Sequence, residues 1–241
     1  NKNLESVLKR IIDANLKLNI EKCEFASDEV IYLGHRITQN GIGVDPAKIE
    51  AINRIETPTN RQKLRRFIGM ATYYKRFINH FSQIVRPLTQ LTSIKREFEW
   101  SGEAQAAFDQ IKEELKKAPL LAAPDFTKPF QIATDASKSG LGAVLLQDTH
   151  PIAFASRTCS AAEQSYPANE LEALAVIWAV RHFKHYVYGR EIEILTDHRP
   201  LHDLKENRHP DEPLGRLMLK LQGRNYKITY IRGKTNVTAD L

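Results

Sequence analysis

Residues 130–147 read FQIATDASKSGLGAVLLQ. A β-prone run, Phe130 to Thr134, delivers Asp135 into a turn of small residues, and a second apolar run, Leu141 to Leu146, follows. Strand, turn and strand is the reading this pattern dictates. A carboxylate at the end of a buried strand is costly unless something offsets its charge, so Asp135 either caps the turn or holds a cation.

Working outward, the spacing predicts a third strand at 151–156, a long helix over about 164–187, a strand at 191–196, a short helix after His198, a helix around 214–222 and a strand at 226–231. A meander of strands followed by helix, strand, helices and strand describes a mixed α/β sheet flanked by helices. Upstream the pattern is mainly helical. Leu4, Val7, Leu8, Ile11 and Ile12 make residues 3–19 an amphipathic helix. CEFASDEVIYLGHRIT holds two β-prone runs, and QNGIGV after it supplies turn residues. Asp45-Pro46 starts a helix that Thr57-Pro58 ends, and Leu64, Phe67, Ile68, Ala71 and Tyr74 stripe a helix from Asn60 to Phe77. Short and longer helices follow from Pro87 to Leu91 and from Ser101 to Lys116. LAAPDFTKPF, with its prolines, reads as a linker with a boundary near residues 118–128, and the strand-rich piece before Asp45-Pro46 gives way there to helices, so the chain is read as residues 1–44, 45–122 and 125–241.

The 241 residues are 42% hydrophobic and 27% charged, a globular balance with no apolar run of membrane-spanning length and no leader. The expectation is a cytoplasmic or nuclear protein with no membrane partner. Cys23 and Cys159 form neither a disulfide framework nor a metal knuckle. A net charge of +6 and an isoelectric point near 9.2 point to a polyanionic partner. Between Glu56 and Glu97 there is no acid, while Arg61, Lys63, Arg65, Arg66, Lys75, Arg76, Arg86, Lys95 and Arg96 all fall inside. Such a segment repels itself unless an anion faces it. Beginning at Asn1 rather than Met, and ending directly after an acid, the chain reads as an excerpt of a longer polypeptide.

Acids recur where α/β sheets place their chemistry. Asp135 and Asp197 end strands, Glu172 heads a helical stripe of Val176, Ala179 and Phe183, and Asp240 follows the last strand by a short loop. Each alone reads as a cap or a solvated acid. Convergent carboxylates cannot all stay ionised without cations, and Mg²⁺ is the hard, oxygen-seeking ion suited to phosphodiester chemistry. His198 and His202 stand at i, i+4 but lack a third zinc ligand. Trp100 and Trp178 read as core anchors.

TDASKSGLGAVLLQ, IAFASRTCSAAEQSYPANELEALAVIWAVRHF, ILTDHRPL and ITYIRGKTNVTADL resemble the ribonuclease H domain of Pol polyproteins from gypsy-class long-terminal-repeat retrotransposons. NLKLNIEKCEFASDEVIYLGHRIT and LRRFIGMATYYKRFINHFSQIVRPLTQLT resemble the end of the reverse transcriptase palm and the thumb of the same class. The resemblance implies a metal-binding set of Asp135, Glu172, Asp197 and Asp240, two Mg²⁺ ions with Mn²⁺ as a substitute, and hydrolysis of the RNA strand of RNA/DNA hybrids. Glu170 competes with Glu172, but EALAVIWAV starting at Glu172 fits the family's register. Tyr32, Leu33, Gly34 and His35 match the primer grip, and also read as a small hairpin with a bulge at Gly34. Arg61, Lys63, Arg65 and Arg66, with Lys75 and Arg76, match the thumb surface along a primer–template duplex, a solvated helix face being the other reading. Tyr73 and Tyr74 read as packing residues, and Ser137 and His198 fall beside the hybrid.

The implied partners are the hybrid, the primer–template duplex, the fingers and palm of the same enzyme and the rest of Pol. IRGKTNVTAD lacks the histidine that many ribonucleases H carry before the last Asp, and the family continues past Leu241 into the helix that carries it. No Asp-Asp pair occurs, so the chain alone is not expected to polymerise DNA. The alternative is a metal-free, nucleic-acid-binding remnant.

Overall fold

The computed structural model describes residues 2–95, 97–197, 219–221 and 225–231. His198, Asp240 and the helix expected directly after His198 lie outside the described residues, as does most of the helix expected at 214–222.

The chain opens with α1 (Lys2–Asp13), shorter than the sequence pattern suggests because Asn15 turns the backbone into the left-handed region at φ 53°. Strands β1 (Glu29–Tyr32), β2 (His35–Thr38) and β3 (Gly41–Val44) form an antiparallel sheet in that order. The third strand corrects the sequence expectation, which assigned QNGIGV to a turn. Only Gln39 and Asn40 turn; Ile42 and Leu121 exchange backbone hydrogen bonds of 2.8 and 2.9 Å. Gly41, at φ 145°, permits this, because a Cβ there would stand 2.2 Å from the Leu121 carbonyl oxygen.

Helices α2 (Pro46–Asn53), α3 (Arg61–Tyr73), α4 (Phe81–Ile84), α5 (Arg86–Leu91) and α6 (Gly102–Lys116) follow. Asp45, Asn60 and Ser101 cap α2, α3 and α6 by accepting backbone N–H bonds, as their side chains predispose them to do. The α3 stripe buries Leu64, Phe67 and Ala71. The short α4 was not foreseen: it begins directly after His80, a residue at φ 50°.

Strands β4 (Phe130–Ala136), β5 (Gly140–Gln147) and β6 (His150–Thr158), helices α7 (Ala168–His182) and α8 (Lys184–Val187), and strands β7 (Ile192–Thr196) and β8 (Tyr226–Tyr230) complete the described chain. They form a five-stranded sheet of order β6-β5-β4-β7-β8, the first three strands antiparallel and β4, β7 and β8 parallel. The mixed sheet is the one the sequence pattern implied.

Every residue of β5 is buried, so both faces of the sheet need cover. Phe130, Ile132, Ala143, Leu145 and Ile194 pack against Val176, Ile177 and Val180 of α7 and Phe183 directly after it. Ala133, Val144, Leu146 and Phe154 join the other core, which is built from Leu64, Phe67, Phe77, Leu88, Phe108 and Ile111 of the helical half. The stretch read as a linker is therefore bound at several points. Ala122 N–H donates to the Pro151 carbonyl, and the Gln147 side chain donates to the carbonyls of Asp125 and Lys128 while accepting from the Asp125 N–H.

The edge strand β6 is also covered. Arg76 Nη2 donates to the Ile152 carbonyl, Ser82 N–H donates to Ser156 Oγ, and Ser82 Oγ donates to the Ser156 carbonyl. Such cover satisfies edge groups that otherwise template pairing with another chain.

Because one core spans both halves, they should unfold together. Single-tryptophan variants, Trp100→Phe and Trp178→Phe, report from opposite halves, and their urea midpoints should coincide. Leu146→Ala should lower stability by about 2–5 kcal/mol at both probes. Two separated midpoints would contradict the shared core.

Candidate metal and nuclease site

Asp135 and Glu172 are brought together by chain topology. Ala133 of β4 stands opposite Leu195 of β7 in a parallel register, so Asp135 and Asp197, two residues further on each strand, share the same sheet end. The loop from β6 returns to that end before α7 begins, which places Glu172 in the first turns of the helix. This loop is held by a capping box and a fork. Glu163 accepts from Ser160 N–H and from both Arg157 Nη atoms at 2.7 Å, while Ser160 Oγ accepts from Glu163 N–H. The Arg157 guanidinium holds the Glu163 pKa down at about 2.

Glu172 behaves in the opposite way. Burial, reinforced by the charges of Asp135 and then Asp197, pushes its pKa up to about 8. The Ala136 N–H hydrogen-bonds its carboxyl, yet Oε2 is buried without any hydrogen-bond partner. Val176, Ala179 and Phe183 below it are all buried, so Glu172 heads the stripe inferred from sequence. Glu170 is half-buried, with its N–H bonded to Asn169 Oδ1. Asp135 is half-exposed and Asp197 exposed.

Among the described residues no group of three His, Cys, Asp or Glu side chains stands at metal-chelating distances. The donor set nevertheless fits a hard divalent cation: an orphaned, desolvated carboxylate oxygen flanked by further carboxylates is the environment such an ion relieves.

The remaining expected residues divide by exposure. Tyr32 and Leu33 are exposed at the tip of the β1–β2 hairpin, a turn with Leu33 and Gly34 at φ 49° and 76°. His35 is half-buried, its ring stacked on Tyr73 at 5.3 Å and edge-on to Tyr74; burial, then Arg76, lowers its pKa. Tyr73 Oη donates to the Leu33 carbonyl at 2.6 Å and Tyr74 Oη to the Gly34 carbonyl at 3.2 Å. These hydroxyls pin the hairpin to α3, a packing role as read from sequence. On α3, Arg61 Nε donates to the Ser93 carbonyl and Arg65 Nη2 to that of Thr92, whereas Lys63 and Arg66 line an open cleft of about 320 Å³ with Glu56, Phe67 and Met70. Lys75 is exposed; Arg76 is half-buried on β6. Ser137 closes the β4–β5 turn, bonded to Ser139 and Gly140.

Sequence reasoning missed His80. Its Nε2 lies 3.8 Å from Asp135 Oδ2. The available signal was Gly142, a glycine inside a strand, where another group approaches closely; a Cβ there would stand 2.9 Å from the His80 ring.

Residues 100–194 match the family described as "RNase H-like domain found in reverse transcriptase". The chain is 40% identical over 98% of its length to the retrovirus-related Pol polyprotein of transposon 297 of Drosophila melanogaster, and 38% identical over 99% to that of transposon gypsy. It spans 22% and 24% of the length of those relatives. In fold it matches a foamy viral protease–reverse transcriptase in complex with RNA/DNA hybrid, with a TM-score of 0.80 over 96% of this chain and 33% of that one at 22% identity.

In metal-free buffer, Glu172 generates a testable pH dependence. Its folded pKa lies above the unfolded value of 4.5, so between pH 4.5 and about 8 the folded state holds a proton that the unfolded state has released, and stability falls as pH rises. Urea midpoints in EDTA should show Glu172→Gln matching the wild type near pH 4.5 and exceeding it increasingly toward pH 8. A gap that does not change with pH would contradict the burial of this acid. With its strand-end acids, its RNase H-like match over residues 100–194 and its near full-length similarity, the chain belongs with the Pol polyproteins of gypsy-type retrotransposons.

Proposed function

We propose that this chain hydrolyses the RNA strand of RNA/DNA hybrids in a divalent-metal-dependent reaction, with its helical half holding the duplex. The observation that carries the reading is the Glu172 carboxyl, desolvated, with one oxygen unpartnered and with Asp135 and Asp197 close enough to raise its pKa. The Pol relatives and the foamy viral enzyme solved with RNA/DNA hybrid support it.

Asp135, Glu172, Asp197 and Asp240 are the residues that hold two Mg²⁺ ions, with Mn²⁺ as a substitute. When bound, such ions neutralise charge at the scissile phosphate and make water a stronger nucleophile near neutral pH. The protein's own contribution is placement. The Ala136 N–H helps hold the Glu172 carboxyl, and its buried, unpartnered Oε2 would be the atom offered to a cation, a role that requires the carboxylate form. The Glu163–Arg157 fork fixes the loop from which α7 starts. Selection of RNA rests on contacts to 2′-hydroxyls. The sequence holds no Asp-Asp pair, and polymerisation is assigned to the fingers and the remainder of the palm in the rest of Pol.

Duplex binding falls to exposed cations whose charged ends are not engaged by backbone carbonyls of the protein. Lys63→Ala and Arg66→Ala should each reduce the slope of log affinity against log salt by about 1, as expected for one lost phosphate contact. Arg61→Ala and Arg65→Ala should leave that slope nearly unchanged and lower thermal stability, since their guanidinium groups serve backbone carbonyls. Equal slopes across all of these variants would refute the assignment.

Incubated with a labelled RNA/DNA hybrid and Mg²⁺, the wild-type chain should release RNA fragments, and Asp135→Asn should reduce cleavage to the level seen with EDTA. Hybrid binding with no cleavage by either protein would establish a metal-free nucleic-acid-binding remnant instead.

A further inference from the structure

His80 belongs to the helical half, yet it stands at the carboxylate that the nuclease reading places at the metal centre. The backbone explains how. At φ 50° His80 adopts the left-handed conformation, uncommon outside glycine although histidine is among the types enriched there, and α4 starts directly after it. This kink aims the segment at the end of β4, β5 and β6. Ser82 locks onto Ser156 through hydrogen bonds of 2.8 and 2.9 Å, with the two hydroxyls 3.1 Å apart. Gln83 Nε2 reaches the Ser137 hydroxyl and the Gly140 carbonyl, each at 3.4 Å, on the turn that follows Asp135.

The sheet makes room for this segment at both glycines of β5. Gly142 pairs with Asp135 across the strands, and a Cβ on it would meet the His80 ring at 2.9 Å. A Cβ on Gly140 would meet the Gln83 side chain at 3.1 Å and the Arg157 carbonyl at 2.8 Å. The ring thus fills the space that a side chain opposite Asp135 would otherwise occupy. Its Nε2 is 3.8 Å from Asp135 Oδ2, too long for a direct hydrogen bond, so the contact is that of a wall.

The geometry points to His80 as a positioning residue for Asp135: it limits the rotamers open to the half-exposed carboxylate and so presents it to the cation. The nuclease site is then completed by a side chain from the helical half. This inference rests on the metal-dependent reading above. Groups that orient a ligand side chain commonly change metal affinity or activity by about 10–100-fold when removed.

The test compares the full chain with His80→Gly, which keeps the left-handed backbone without strain and removes the ring, and with His80→Asn, which tolerates the same backbone and keeps a polar planar group. Mn²⁺ affinity is measured by the electron paramagnetic resonance of free Mn²⁺, hybrid cleavage is resolved into kcat and KM, and thermal unfolding reports folding. His80→Gly is expected to weaken Mn²⁺ binding and lower kcat by about 10-fold or more, with KM for the hybrid within about 2-fold, and His80→Asn is expected to recover part of both. Unchanged Mn²⁺ affinity in His80→Gly would overturn the inference, as would equal losses in the Gly and Asn variants that follow thermal stability, or a wild-type chain that takes up no Mn²⁺. A wild-type chain that binds Mn²⁺ but leaves the hybrid intact would refute the nuclease reading alone, and the Mn²⁺ affinities of the variants would still decide the role of His80.

Discussion

A strand buried along its whole length has to be covered on both faces, and β5 is such a strand. Much of the remaining architecture meets that requirement. Helix α7 covers one face and brings Glu172 to the sheet end. The α3–α6 assembly covers the other and brings His80, Ser82 and Gln83 to the same end. The groups of the proposed site converge because the elements carrying them are the ones needed to exclude water from the sheet.

That convergence has an electrostatic cost. Placing Glu172 beside Asp135 and Asp197 in a desolvated corner favours its neutral form at ordinary pH. A structural core has no use for such an acid, since a hydrophobic residue of similar size is commonly as stable or more so. Elsewhere the chain treats its charged groups conventionally. Glu163 is matched by the Arg157 fork and Glu193 by Gln131 and Thr229, and both have lowered pKa values. Against these satisfied acids, Glu172 Oε2 stands buried without a hydrogen-bond partner, which is the feature the proposed metal-binding role uses.

Basic character likewise separates into structural and available cations. Within the acid-free segment, Arg61, Arg65 and Arg76 donate to backbone carbonyls, closing the end of α5 and the edge of β6. Lys63 and Arg66 line an open cleft. A count of charges treats these residues alike, although only a cation not already bonded to a backbone carbonyl can meet a phosphate without losing a bond inside the protein.

The amino-acid sequence by itself determined the strand-turn-strand around Asp135, the caps at Asp45, Asn60 and Ser101, the stripe below Glu172 and the order of the sheet elements. These follow from periodicity and local hydrogen bonding, which act within a few residues. That QNGIGV supplies a strand is also local, since β3 pairs with β2 across the Gln39–Asn40 turn, but only tertiary structure brings Leu121 from about eighty residues away to bond its other edge. It also decided that the proline-containing stretch is tied down, that Tyr73 and Tyr74 hold the hairpin, and that His80 faces Asp135. Long-range packing sets these features. A local pattern records only its traces, such as the glycines of β5, whose missing side chains leave space for what the rest of the chain brings.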